Sequence, residues 1–259
     1  MGDSVIQLGV EAPLAFVQFS RPPANAYDLP FLKQLDAAVE EIRLRDDVKV
    51  VILQGNPKFF SAGADITTFL GATPEAIMAF ALFGHLTLVK LESLPKIVIA
   101  AIEGHAVGGG LEIALACDLR FMARGPGRLG LGEVKIGAVP NMGGTQRLPR
   151  LIGKARALKM LITGETVDAE EALRIGLVDG LHAPEELLAK TVEYATSLAR
   201  GPVLTIGLIK QCVNEGLEMP LAGGLALERA CGGVAFRSED FKEGSGAFAE
   251  KRPPAFRGR

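Results

Sequence analysis

Ile97-Val98-Ile99-Ala100-Ala101-Ile102 leads directly into Glu103-Gly104-His105-Ala106-Val107-Gly108-Gly109-Gly110 and then into Leu111-Glu112-Ile113-Ala114-Leu115-Ala116-Cys117-Asp118. The first run is apolar throughout and reads as a strand buried on both faces of a parallel sheet. The glycines after it let the backbone approach a ligand and turn its N–H groups outward. A helix starting at Leu111 adds unpaired N–H groups and a positive dipole end at the same spot. Glu112 stands beside this anion cradle. The combination suits chemistry in which a carbonyl oxygen gains negative charge while a carboxylate moves a proton.

Upstream, Val48 to Leu53 is a second apolar strand, followed by Phe59-Phe60-Ser61-Ala62-Gly63-Ala64-Asp65-Ile66. If the two strands are neighbours in a parallel sheet, both loops emerge at one edge, where such sheets bind ligands. Two backbone N–H groups then converge on one oxygen. Taken alone, the glycine run at 108–110 reads equally as a tight strand-to-helix turn, Glu112 as a residue that complements a helix dipole, and Glu133 as an exposed loop charge.

Val5 to Val10 and Leu14 to Phe19 predict an opening pair of strands. Leu32, Leu35, Val39 and Ile42 recur at helical spacing. Thr73-Pro74-Glu75 reads as a capped helix start. Strands alternating with helices give an α/β class, with a strand-strand-helix unit that recurs. After Gly143-Gly144-Thr145 the pattern predicts helices only: Asp168-Ala169-Glu170-Glu171 opens one with a capping-box pattern, and Pro184 to Ala199 and Pro202 to Glu215 follow. The change divides the chain near Pro149 to Ile152, into 1–150 and 151–259.

The 259 residues are 48% apolar and 22% charged, with a formal charge of −2. That is the composition of a folded soluble protein without a global basic surplus for nucleic acid or anionic lipid. Cys117, Cys212 and Cys231 are odd in number and widely spaced, which fits free thiols in a reducing compartment. No secretory leader is legible at Met1-Gly2-Asp3-Ser4-Val5-Ile6, and the unbroken apolar runs fall short of the roughly 20 residues a membrane helix needs. A cytoplasmic location is expected. His85, His105 and His182 have no ligand-spaced companions, so no metal site is expected. A Gly-x-Ser-x-Gly elbow, a dinucleotide fingerprint and a phosphate loop are all missing from the sequence.

Ser61-Ala62-Gly63-Ala64-Asp65, Gly108-Gly109-Gly110-Leu111-Glu112, and Gly132-Glu133 through Gly143-Gly144-Thr145-Gln146-Arg147-Leu148 together resemble the enoyl-CoA hydratase (crotonase) family. The resemblance extends over nearly the whole chain, including Gly164, Ala169 to Gly176 and the tail Glu250-Lys251-Arg252-Pro253-Pro254-Ala255-Phe256. It implies a superhelical core of ββα repeats in 1–150 that holds the CoA and catalytic site. It implies for 151–259 a helical trimerisation region that also closes the CoA pocket, in a homotrimer or a hexamer of two trimers.

By matching motifs, Ala64 and Gly109 N–H groups form the oxyanion hole for an acyl-CoA thioester, and Glu112 and Glu133 are the two catalytic glutamates. Arg21, Ala24, Ala62, Asp65, Ile66, Gly108, Pro140 and Phe256 join Ala64 and Gly109 in contacting the CoA thioester, with Ala62 to Thr67 lining the CoA site and Arg21 to Ala26 near its adenine and pantetheine end. Coenzyme A belongs to the substrate, and no separate cofactor is implied. The implied reaction is reversible syn hydration of a 2-trans-enoyl-CoA to the 3-hydroxyacyl-CoA, Glu112 deprotonating the water and Glu133 protonating C2. Lys251, Arg252 and Arg257 resemble the family's CoA-contacting end, and Phe69, Phe80 and Phe83 are candidates for an acyl tunnel.

The chain departs from the family pattern in three places. Arg21-Pro22-Pro23-Ala24-Asn25-Ala26-Tyr27 is about a residue shorter than the common form, Asn141 replaces a frequent glycine, and Thr67 and Thr68 stand where many relatives carry a lysine and an acid. Rivals within the fold are a double-bond isomerase and other acyl-CoA lyases, whose members often lack one glutamate of the pair. Some relatives bind AU-rich RNA through a lysine-rich helix. Here Lys33, Arg43 and Arg45 are interspersed with Asp36, Glu40, Glu41, Asp46 and Asp47, a surface poorly suited to phosphate.

Overall fold

The computed structural model describes residues 4–259, so the expectation about a leader at Met1-Gly2-Asp3 lies outside the described residues. β1 (Ile6–Glu11) and β2 (Leu14–Phe19) form the expected antiparallel pair, with Ile6 opposite Phe19. β3 (Val50–Gln54), β5 (Ile97–Ile102), β7 (Leu119–Ala123) and β9 (Gly180–His182) continue in parallel, giving a six-stranded sheet in the order β1-β2-β3-β5-β7-β9. Val50 stands opposite Ile97 and Leu53 opposite Ala100, which is the neighbourhood required for two loops at one edge.

A second parallel sheet is built from short strands, β4 (Phe59–Ser61), β6 (His105–Val107) and β8 (Leu129–Gly130). β3, β5 and β7 are each followed by a short strand of the other sheet and then by helix. β3 and β4 precede α2 (Pro74–Glu92), and β5 and β6 precede α3 (Gly109–Leu115). β7 and β8 precede a 3-10 turn at Glu133–Ile136 and α4 (Gly144–Ile152). This is the recurring strand-strand-helix unit.

The central strands are buried on both faces because alternate side chains serve different layers. Val51, Leu53, Val98, Ala100 and Ile102 join the larger core with α1 (Leu29–Leu44). Val50, Ile52, Ile99 and Ala101 pack instead with Leu187 and Ala195 of α7 (Leu187–Ala199). α1 buries Phe31, Leu32, Leu35, Ala38, Val39 and Ile42, and each large apolar side chain so removed from water contributes about 1.5–3 kcal/mol. Asp28 caps it, its carboxylate accepting Phe31 N–H at 2.9 Å. Thr73 likewise caps α2 by accepting Ala76 N–H at 3.3 Å.

Three expectations are corrected. The region after Thr145 is not helices only, because Gly180-Leu181-His182 forms β9 beside β7. α3 starts at Gly109 rather than Leu111, and this places Gly109 N–H in the first turn, where no intrahelical acceptor exists. The capping box at Asp168 is half formed: Asp168 accepts Glu171 N–H at 3.0 Å, while the Glu171 carboxylate turns to Arg174 at 2.6 Å. Among the described residues, α2 alone is long and apolar enough to cross a membrane, with a mean hydropathy of 1.3 over its best window. It packs on α1, where Lys90 Nζ meets Asp36 at 2.8 Å.

The remaining helices are α5 (Lys154–Thr163), α6 (Ala169–Arg174), α8 (Val203–Gly216), α9 (Leu221–Ala235) and α10 (Glu239–Glu250). α8 is pinned to the sheet by one buried cation. Lys210 Nζ donates to Asp118 Oδ2 at 2.7 Å and to Lys96 O at 2.9 Å, and the same Asp118 oxygen accepts Val98 N–H at 2.7 Å.

Candidate active site

The two glycine loops meet beyond β4 and β6. Gly63 is at φ +88° and Gly108 at φ +56°, left-handed conformations that a side chain rarely tolerates. A Cβ on Gly63 would lie 3.0 Å from Gly109 N and 2.9 Å from Val107 O, so the loops touch backbone to backbone. Tyr27 fixes the orientation of the first. Its N–H donates to Gly63 O at 2.9 Å and its carbonyl accepts Asp65 N–H at 2.8 Å. In such a parallel bridge the amide of the intervening Ala64 faces the other way. Among the described residues, neither Ala64 N–H nor Gly109 N–H finds an acceptor in the chain.

Glu112 and Glu133 both lie close to this junction. Glu112 is only 2% exposed, and its Oε1 accepts Met142 N–H at 2.8 Å and Gly144 N–H at 2.7 Å. Burial raises its pKa, while the two amides and the charge of Arg147 oppose the rise. Glu133 approaches from the following repeat, with Oε1 lying 3.3 Å from where a Cβ on Gly108 would be. Its Oε2 is buried and has no hydrogen-bond partner among the described residues. Burial pushes the Glu133 carboxyl up to about 7, with Glu112 adding to the rise and its own backbone opposing it. One acid is therefore held by donors that favour the carboxylate, and the other is poised to carry a proton near neutrality.

The expected CoA-contacting residues divide by position. Ala24 and Ala62 are joined, Ala62 N–H donating to Ala24 O at 2.9 Å. Asp65 caps the 3-10 turn at Ile66–Phe69 and accepts the Thr67 hydroxyl at 2.6 Å. Arg21 grips Asp65 at 3.0 Å and Asp28 at 3.1 Å, and donates to Ala26 O. Its charge thus braces the segment that presents Ala64. Ile66 is exposed at the start of that turn. Pro140 borders Glu112, its Cβ lying 3.1 Å from where a Cβ on Gly144 would be.

Phe256 is not brought to this cluster within one chain. Its ring lies on Gly244 of α10, and the following Gly258 sits against Val203 and Lys49. Asp240 holds that tail by accepting Arg257 N–H at 2.6 Å and Gly258 N–H at 2.8 Å. Arg252 is engaged by Glu243 at 2.6 Å, which holds the Glu243 carboxyl down at about 2. Of the tunnel candidates, Phe69 and Phe80 meet edge to face at 5.4 Å, and Phe80 stacks on Tyr27 at 6.0 Å. His105 packs on Phe59 at 5.1 Å. Among the described residues no three His, Cys, Asp or Glu side chains gather as metal ligands.

Several supporting residues escaped the sequence reading. Arg147 Nη1 donates to Met142 O at 2.8 Å and so fixes the loop whose amides hold Glu112. Buried Asn25, at φ 49°, donates to Phe59 O at 3.0 Å and accepts Arg21 N–H at 3.0 Å. The Ser61 hydroxyl donates to Asn25 O at 2.8 Å and accepts Gly63 N–H at 3.1 Å. An asparagine after a shortened Arg-Pro-Pro-Ala stretch is the signal for such a left-handed brace.

The family model for enoyl-CoA hydratase/isomerase matches residues 9–259. The crystal structure of an enoyl-CoA hydratase from Geobacillus kaustophilus HTA426 superposes with a TM-score of 0.97 at 45% identity, covering 100% of this chain and 98% of the other. A short-chain-enoyl-CoA hydratase of Clostridium acetobutylicum is 39% identical over 93% of both chains. A crotonyl-CoA hydratase of Syntrophomonas wolfei is 37% identical over 97% of both. The fold, the ββα repeat and the match over nearly every residue agree: the chain is an enzyme that belongs to the enoyl-CoA hydratase/isomerase family.

Proposed function

We propose that this enzyme reversibly hydrates a 2-trans-enoyl-CoA thioester to the 3-hydroxyacyl-CoA. The observation that carries the reading is two acceptor-free amides, Ala64 and Gly109 N–H, at a junction close to the buried Glu112 carboxyl and the half-buried Glu133 carboxyl. The thioester oxygen accepts both amides, which lowers the energy of the enolate as charge develops there. Both recorded bonds of Glu112 go to Oε1, leaving Oε2 to hold the water and take its proton as the water attacks C3. Glu133, protonated near neutrality, delivers its proton to C2. The reverse reaction exchanges these roles.

The segment Arg21 to Ala26 with Ala62 to Thr67 forms the CoA side of the site in this reading, Arg21 acting as its brace. The chain assembles as a homotrimer or a pair of trimers. The exposed apolar side chains Ile209 and Val213 of α8, Leu217 just after it, and Leu221 and Leu225 of α9 support that assembly. The test is incubation of the purified enzyme with crotonyl-CoA, followed by loss of the conjugated thioester absorbance and by product analysis. Formation of 3-hydroxybutyryl-CoA is expected. Conversion confined to shifting the double bond of a 3-enoyl ester, or no reaction with any short or medium enoyl-CoA, rejects the hydratase reading.

A further inference from the structure

Tyr27 lies in the stretch that departs from the family pattern, and it meets both loops that carry the proposed oxyanion amides. Its backbone flanks Ala64, as described above. Its hydroxyl rests on the other donor: a Cβ on Gly109 would lie 1.7 Å from Tyr27 Oη, so the phenol sits directly over the Gly109 Cα. The side chain is 3% exposed. Its one recorded hydrogen-bond partner is Met142 Sδ, at 3.6 Å, and a thioether is a weak acceptor. Among the described residues, no hydrogen bond joins it to Glu112 or Glu133.

A buried hydroxyl without an oxygen or nitrogen partner destabilises a fold, and phenylalanine would fill the same aromatic stack on Phe80 without that cost. The proton stays on the oxygen throughout the working pH range. Burial, followed by the charges of Glu112 and then Glu133, pushes the Tyr27 pKa well above its ordinary value of 10.0. The group is therefore an obligatory O–H donor, pre-positioned beside Gly109 and held by a partner that is readily exchanged for a better one.

We infer that Tyr27 is a further catalytic residue, its hydroxyl turning from Met142 to the thioester oxygen as a third donor beside Ala64 and Gly109 N–H. The inference rests on the acyl-CoA reading proposed above. Negative charge gathers on that oxygen in the enolate, so the O–H bond strengthens as the reaction proceeds and contributes more to turnover than to binding. The aromatic ring keeps its stacking role whether or not the hydroxyl is present.

The experiment is Tyr27→Phe, read in two ways. With crotonyl-CoA, kcat is expected to fall about 10²-fold, the lower end of the cost of losing one oxyanion donor, with KM changed by less than about threefold. With a cinnamoyl-type CoA thioester, whose absorption moves to longer wavelength when its carbonyl is polarised, the red shift on binding is expected to be smaller in the variant. A merely structural tyrosine would not alter that shift. Melting temperature serves as the check on folding. Unchanged kcat and unchanged red shift in Tyr27→Phe, with Glu112→Gln inactive, overturn the role of Tyr27 and leave the hydratase reading standing. Absence of both hydration and chromophore binding in the unmodified enzyme overturns both.

Discussion

Arg147 and Glu92 meet as a two-point ion pair, Nε to Oε1 at 3.1 Å and Nη2 to Oε2 at 2.8 Å. The third nitrogen of the same guanidinium donates to Met142 O at 2.8 Å. The fork anchored on α2 thus fixes the loop that delivers two amides to Glu112. An ammonium cannot reproduce this planar, three-way geometry. Arg147→Lys is expected to lower kcat about 10-fold with little change in KM, because small misplacement of a reacting group is costly. Steady-state kinetics checks it, and wild-type turnover would show that the loop holds its shape unaided.

Replacement of either acid by its amide tests the division of labour. Glu112→Gln and Glu133→Gln are each expected to reduce kcat by about 10²- to 10⁴-fold. Binding of a CoA ester should be nearly unchanged, since the amides that grip the thioester belong to other residues. Isothermal titration with an unreactive acyl-CoA alongside turnover separates the two effects. Near-normal hydration by either variant removes that residue from the chemistry.

The pH dependence follows from the single proton the pair carries. In the proposed reaction it is on Glu133 before hydration and on Glu112 afterwards. The net reaction takes up no proton, so kcat/KM in both directions shares one profile. It falls as pH rises through about 7, where Glu133 deprotonates. Stability has the same sign. The folded chain holds the Glu133 proton up to about 7, against an ordinary 4.5, so it binds more protons than the unfolded chain between those values and loses stability as pH rises across the window. Glu133→Gln should flatten that slope in urea titrations. A kcat/KM unchanged across neutral pH contradicts the assignment.

Asp118 and Lys210 form a buried pair, and Asp118 also serves Val98 N–H. Asp118→Ala strands a cation that is only 8% exposed. Breaking such a pair from one side costs about 3–5 kcal/mol, to be read from the denaturation midpoint. Lys210→Met strands the Asp118 carboxylate in turn, so removing both charges together is expected to cost less than the two single losses added. Strict additivity of the two would mean that the pairing itself matters little.

What the sequence disclosed follows from where the signals reside. The period of Leu32, Leu35, Val39 and Ile42 and the continuous apolar runs at Val50 and Ile97 are properties of single segments, and each element formed where they point. β4, β6 and β9 are three residues long, too short for any alternation to register. β9 is recruited by the edge of β7 rather than by its own pattern. Within the site, the loops at Ala64 and Gly109 were legible because glycine is demanded there locally. The anchors of Glu112 come from Met142 and Gly144, about thirty residues away and through main-chain amides that no side chain advertises. Tyr27 registered only as part of a shortened loop, since its role depends on what folds against it.

The two amides proposed to grip the thioester follow β4 and β6, whereas the acids follow β6 and β8. The apparatus is thereby spread over three consecutive rungs of one coil, each secured by its own sheet contacts. Replacing one acid is therefore expected to leave the neighbouring rungs, and with them the proposed hold on the thioester, as they were. A scaffold laid out in this way can diversify rung by rung, sending one stabilised enolate to different fates without redesign of the frame.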